Sequence, residues 1–210
     1  AINFVNEYVN FIKEKGIKEE NIINFDQIPR QFEKEPAKTI INKGTKEIFL
    51  RKATSSHHKY TFTPKISANG RIINQHLIFS KLKNPPTVKP GFDVETNSTG
   101  MWSQEILKNY LRRVILKRPQ TWLEKEPVLV ICDSYGCHLA VLKEIEEIYA
   151  KKYSVFFRII PPNLTGIIQP IDVCLGRSFQ CFYDEKYDDY VTMALNDRSL
   201  QTNAENIKRP

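Results

Sequence analysis

Three aspartates stand where apolar runs give out or loops turn. They are Asp26 in Asn24-Phe25-Asp26-Gln27, Asp133 in Ile131-Cys132-Asp133-Ser134, and Asp172 in Gln169-Pro170-Ile171-Asp172. Carboxylates drawn from distant parts of a chain suit hard divalent cations such as Mg²⁺ and Mn²⁺, which take oxygen ligands and keep waters. Two such ions about 3.5–4 Å apart activate an attacking oxygen and stabilise the leaving oxygen of an in-line phosphodiester displacement. If the three acids share one site, that is the chemistry they would serve. If they do not, Asp26 and Asp133 are ordinary strand-end acids, and Asp172 is a helix-start charge favoured by the macrodipole.

The elements that must position them can be read from hydrophobic spacing. Phe4, Val5, Tyr8, Val9 and Ile12 recur at helical intervals over residues 3–15 and predict a leading amphipathic helix. Asn21–Phe25 is a short apolar strand ending at Asp26, after which Pro29 and Pro36 interrupt regular structure. Ile48–Leu50, Tyr60–Ile66 and Ile72–Phe79 read as consecutive strands, with Asn69-Gly70 as the hairpin turn between the last two. Residues 83–100, rich in Pro, Gly, Asn and Thr, read as a loop.

A helix is expected from an N-cap at Ser103, with Ile106, Leu107, Tyr110, Leu111, Val114 and Ile115 inward. Val128–Cys132 is a continuous apolar run, the mark of a strand covered on both faces. A helix over 139–152 with Leu142, Ile145, Ile148 and Tyr149 inward, a strand at Val155–Ile160 and a last helix from Pro170 complete the order. Consecutive strands followed by alternating helices and strands imply an α/β fold, a mixed sheet with helices on its faces. If the strands before Asp26 and Asp133 are parallel neighbours, both carboxylates emerge at one sheet edge, where open α/β sheets build their sites.

The 210 residues are 41% hydrophobic and 26% charged, which suits one globular domain. No apolar run approaches the roughly 20 residues of a membrane span, and no secretory signal is visible. Net charge is +7, unevenly spread: residues 38–90 hold eleven Lys or Arg against a single acid, Glu47, so the remainder is net acidic. A basic segment beside an acidic remainder suits a polyanion laid along one face, although a solvated basic hairpin has the same composition. Cys132, Cys137, Cys174 and Cys181 form no CxxC pair and read as free thiols of a reducing compartment.

The local sequences carry a resemblance. Asn24-Phe25-Asp26-Gln27-Ile28-Pro29 resembles the first-aspartate segment of pogo/Tigger-type DDE transposases of the mariner superfamily, and Asp133-Ser134-Tyr135-Gly136-Cys137-His138 resembles their second. Pro161 to Val173, with Gln169-Pro170-Ile171-Asp172, resembles their third box, and Gly100-Met101-Trp102-Ser103 resembles the start of the helix before the second aspartate. The resemblance covers residues 20–185 and implies an RNase H-like fold with a mixed five-stranded sheet. Residues 1–190 would be the catalytic domain, with a leading helix over 1–18, and 191–210 a polar tail.

It further implies two Mg²⁺ or Mn²⁺ ions on Asp26, Asp133 and Asp172, and double-stranded DNA, transposon ends and target, as the partner. A nuclear location is expected, no membrane, and a homodimer formed through regions absent from this chain. With Ala1 in place of Met and no helix-turn-helix in view, the chain is expected to be the catalytic domain alone, excised from something longer. Phosphate contacts are expected from Lys43, Lys46, Arg51, Lys52, Lys59, Lys65 and Arg71.

Thirty-eight residues separate Asp133 from Asp172, more than the family pattern carries, which leaves Asp184 and Glu185 as alternative third ligands. His138 is an auxiliary candidate near the metals or the scissile phosphate; a structural hydrogen bond at a helix start is the other reading. A zinc site from Cys132, Cys137, His138 and Cys174 fits no common spacing, and His57-His58 points to opposite faces of a strand. Trp102 and Trp122 read as core or helix anchors. The alternative to an enzyme is a domesticated, inactive transposase domain kept as a DNA-binding or interaction module.

Overall fold

The computed structural model describes residues 2–32 and 59–196. Expectations for Ile48–Leu50, His57-His58 and the end of the C-terminal tail lie outside the described residues. In chain order the elements are α1 (Ile2–Lys15), β1 (Ile22–Phe25), β2 (Ile28–Gln31), β3 (Lys59–Thr63), β4 (Lys65–Ser67), β5 (Gln75–Ser80) and β6 (Phe92–Asn97). Then come α2 (Gln104–Tyr110), α3 (Pro119–Trp122), β7 (Val128–Cys132), α4 (Gly136–Tyr153), β8 (Val155–Ile159), α5 (Thr165–Ile168) and α6 (Arg177–Asn196). A π-helical stretch, Leu111–Leu116, extends α2, and a second, Ile171–Gly176, leads into α6. The helix thus passes the expected domain boundary at residue 190.

Among the described residues the strands form two four-stranded sheets, β4-β1-β7-β8 and β2-β3-β5-β6, rather than the single five-stranded sheet expected. Pro64 is the reason. The expected Tyr60–Ile66 strand is split there into β3, which pairs with β5, and β4, which pairs with β1. A proline has no N–H to give a ladder, so it sits where one pairing ends and another begins. The Asn69-Gly70 turn forms as expected, with Gly70 at φ 80° and an antiparallel bridge between Ile66 and Ile72. β6 lies inside the segment read as a loop and runs parallel to β5 over its whole length. Its sequence, Phe-Asp-Val-Glu-Thr-Asn, is too polar to announce a strand, and its backbone pairing holds it.

The core lies between the β4-β1-β7-β8 sheet and the helices α2 and α4. Val128, Leu129 and Val130 are fully buried, as a continuous apolar run requires. Ser103 Oγ accepts from Ile106 N at 3.2 Å and caps α2, and all six residues of the expected α2 stripe are buried. They pack with Val141, Leu142, Ile145 and Tyr149 of α4, whereas Ile148 is 58% exposed and faces outward. The entry to α2 is bolted to β3: Thr61 Oγ1 donates to Gly100 O at 2.6 Å, and Trp102 Nε1 donates to Thr63 Oγ1 at 2.9 Å. Gly100 has φ +67°, and a Cβ there would lie 2.9 Å from Lys59 O, so no other residue fits without displacement.

Three expectations about single residues are corrected. Trp122 is 64% exposed and anchors nothing, because α3 is one turn long and Trp122 is its last residue. In α1, Val5 and Val9 are exposed, while Phe11 packs edge-on to Phe156 and under the Arg158 guanidinium, which turns the docked stripe toward Phe4, Tyr8 and Phe11. Lys65 is 0% exposed, its Nζ has no hydrogen-bond partner and lies 5.3 Å from the centre of the Tyr110 ring, so it is a core residue and not a phosphate contact.

Burial pushes the Lys65 ammonium down to about 7 from its ordinary 10.5. Unfolded Lys65 keeps its proton up to about 10.5, so this residue makes stability rise as pH climbs from about 7 toward 10.5. Lys65→Met should abolish that rise and be the more stable protein at pH 6. Urea unfolding of both proteins at pH 6 and pH 9 measures it, and equal pH dependence in the two would refute the assignment.

Candidate active site

The site starts from strand register. β1 and β7 are parallel, with Asn24 opposite Ile131. Two residues further along each strand stand Asp26 and Asp133, at one level on neighbouring strands, which in a sheet run about 4.8 Å apart. Asp172 comes from a different direction, in the π-helical stretch after Pro170. One side chain joins all three segments. Asn24, 4% exposed, donates from Nδ2 to Ile131 O at 3.1 Å and accepts at Oδ1 from Ile171 N at 3.1 Å. Its carboxamide therefore reaches from the strand of Asp26 to the strand of Asp133 and to the residue before Asp172. Ile171 is fully buried and wedges the same turn in place.

The electrostatics follow from this crowding. Burial pushes the Asp26 carboxyl up to about 7, aided by Asp172, which is in hydrogen-bonding reach, and by Asp133; the Gln27 N–H at 2.8 Å pulls the other way. Burial acts on Asp133 too, but the His138 imidazole at 2.7 Å and the Tyr135 N–H outweigh it and hold that carboxyl below its usual value. Two neighbouring acids are thus driven apart in proton affinity, the pattern that marks working sites. Among the described residues no three His, Cys, Asp or Glu side chains are already gathered as a metal cluster. The donors that converge are carboxylate oxygens, which is the set a hard cation takes.

His138 is 0% exposed, packed edge-on against Phe25 and Tyr135, with Nδ1 on Asp133. This is a structural hydrogen bond at a helix start, made by a ring buried away from solvent. Cys132 is buried in the core and Cys174 is exposed, so the zinc grouping does not assemble. Asp172 is the acid beside Asp26; Asp184 and Glu185 lie further along α6, where Glu185 pairs with Lys186 at 3.6 Å. Of the expected phosphate contacts, Lys43, Lys46, Arg51 and Lys52 lie outside the described residues, Lys59 is half-buried, and Arg71 is exposed beside the Asn69-Gly70 turn. The sequence reading missed the roles of Asn24 and Gln27. A signal existed for Asn24: a polar residue inside the apolar run Ile22-Ile23-Asn24-Phe25 must find partners when buried.

A mixed sheet whose central parallel strands end in two carboxylates, with a third acid in the following helical segment, is an RNase H-like fold. The structure is similar to that of a pre-cleavage Mos1 transpososome, with a TM-score of 0.51 and 14% identity, over 85% of this chain and 46% of that chain. It also aligns with the Mos1 mariner paired end complex with Mn, with a TM-score of 0.49 and 15% identity, over 85% of this chain and 46% of that one. The chain thus spans a little under half of those transposase chains. A family model described as DDE superfamily endonuclease matches residues 60–209, and the chain belongs to that family. The matched span contains Asp133 and Asp172 and begins after Asp26. Over 146 residues the chain is also 28% identical to the aspartate–tRNA ligase of Buchnera aphidicola subsp. Schizaphis graminum, covering 62% of this chain and 24% of that enzyme, too little to place it there.

Asp26 gives a prediction with a definite sign. Its folded pKa of about 7 lies above the ordinary 3.8, so its contribution to stability is fully present below about pH 3.8 and is lost as pH rises toward and through 7. In chelated buffer Asp26→Asn should lack this loss and unfold at higher urea than the wild type at pH 8. A variant less stable than wild type at pH 8 would show that the three acids are not crowded.

Proposed function

We propose that this chain is the catalytic domain of a DNA transposase of the mariner/pogo kind, a metal-dependent endonuclease that also transfers strands. The observation that supports the reading is the Asn24 carboxamide, which joins the segments of Asp26, Asp133 and Asp172, together with the Asp26 carboxyl raised to about 7 by burial and its acidic neighbours. Membership of the DDE superfamily endonucleases supports a nucleic-acid phosphodiester as the substrate class. The donor set fits Mg²⁺ or Mn²⁺: all three side chains are carboxylates, and with its carboxyl raised to about 7 Asp26 is partly protonated at neutral pH, a proton that positive charge would displace. Asp26 and Asp133 would be the shared ligands and Asp172 would complete the set. When bound, a pair of such ions supplies a nucleophile active at neutral pH and stabilises the leaving oxygen.

The chain's own residues prepare this chemistry. Asn24 ties the three segments together through its two hydrogen bonds. His138 donates to Asp133 and keeps it ionised, ready as an oxygen ligand. Phe25, Trp102 and Tyr110 pack beneath the strand ends and exclude water from the inner side of the site. Arg71 is exposed and available to a phosphate backbone, a contact that orients DNA without reading bases.

The test is cleavage of duplex DNA, with and without transposon ends, in Mg²⁺ or Mn²⁺, by wild type and by Asp133→Ala. Metal-dependent nicking by the wild type and its loss to background in a folded Asp133→Ala protein are expected. DNA binding with no cleavage in any metal would contradict the enzyme reading and identify an inactive, transposase-derived binding module.

A further inference from the structure

We propose that Gln27 is a positioning residue of this site, which holds Asp26 through its backbone N–H and Asp133 through the His138 ring that it braces. The proposal rests on the metal-site reading above and assigns a role to a residue outside the three carboxylates. His138 Nδ1 lies 2.7 Å from Asp133 Oδ1, and His138 Nε2 lies 2.6 Å from Gln27 Nε2. A carboxylate only accepts, so Nδ1 carries a proton toward Asp133. A carboxamide nitrogen only donates, so Nε2 must present its lone pair to Gln27. The two contacts together are satisfied by a neutral imidazole protonated at Nδ1. Meanwhile the Gln27 backbone N–H donates to Asp26 Oδ1 at 2.8 Å. One residue therefore touches the first carboxylate directly and governs the second through one ring.

The surroundings leave His138 little alternative. The ring is fully buried, with Phe25, Trp102 and Tyr135 around it. Besides the Asp133 carboxylate, its polar contacts are the Asp133 backbone carbonyl at 3.2 Å and Gln27. Remove the Gln27 amide and the buried Nε2 lone pair loses its partner; the Asp133 carboxylate keeps the proton on Nδ1, but the ring loses one of its two polar anchors. A ring held at one end only can tilt, and Asp133, hydrogen-bonded to it, would tilt with it out of line with Asp26. Partners one step removed from a metal ligand are commonly worth about 10–100-fold in metal affinity.

The experiment uses the full chain, labelled with ¹⁵N-histidine and free of metal, with the His138 signal assigned by its loss in His138→Asn. Long-range ¹H–¹⁵N correlation reads the tautomer, and Mn²⁺ titration followed by electron paramagnetic resonance reads the affinity. The wild type should show His138 protonated at Nδ1 and bare at Nε2. Gln27→Met, at a half-buried position that tolerates the apolar chain, should leave the proton on Nδ1, move the Nε2 resonance that loses its donor, and weaken Mn²⁺ binding about tenfold or more. A wild-type His138 protonated at Nε2 alone, or a Gln27→Met protein that binds Mn²⁺ as tightly as the wild type, overturns the assignment. A wild type that binds no Mn²⁺ defeats the metal-site reading instead, and the tautomer then decides the Gln27–His138 contact by itself.

Discussion

Asn24 uses both ends of its carboxamide, giving a proton to Ile131 O and taking one from Ile171 N, and so ties together the three segments that carry Asp26, Asp133 and Asp172. Magnitudes show what that tie must oppose. Two unit charges about 5 Å apart repel by about 3 kcal/mol at an effective dielectric of about 20. A single hydrogen bond returns about 1 kcal/mol net. The carboxamide alone cannot hold three ionised acids together, and the surrounding fold must contribute. Ile171 is buried against the same turn, and the apolar run of β7 is buried on both faces. The remaining strain is relieved chemically, by a proton retained on Asp26 up to about pH 7.

The two strand-end acids are treated differently although they stand side by side. Asp26 is surrounded by burial and like charge and keeps its proton; Asp133 has an imidazole and a backbone N–H and stays ionised. A dication placed between them would satisfy both, replacing the proton on one and extending the hydrogen-bonded order of the other. Unpaired acids held by a rigid core are a cost to stability, and such costs concentrate where a site is built for a ligand.

Much of the frame was legible in residue spacing. The Val128–Cys132 run, the Ser103 cap and the α2 stripe each have one physical outcome, and the structure shows it. What escaped depends on partners that no single segment displays. β6 is polar and exists through its pairing with β5. Lys65 looked like a member of a basic segment, but Pro64 switches its strand between sheets and carries its side chain inward. Ile148 has the right spacing for the α4 stripe yet sits at its edge. At the site, the acids and their order could be read from motifs, whereas Asn24 and Gln27 act through geometry across more than a hundred residues of sequence.

The central claim is that Asp26, Asp133 and Asp172 form one site for divalent cations. Anomalous diffraction from crystals of the full chain soaked in Mn²⁺ tests it most directly. The account predicts two peaks about 3.5–4 Å apart, with Asp26 and Asp133 bound to both or shared between them and Asp172 on one. Peaks located elsewhere on the chain, with no Mn²⁺ density between the Asp26 and Asp133 carboxylates, would contradict it.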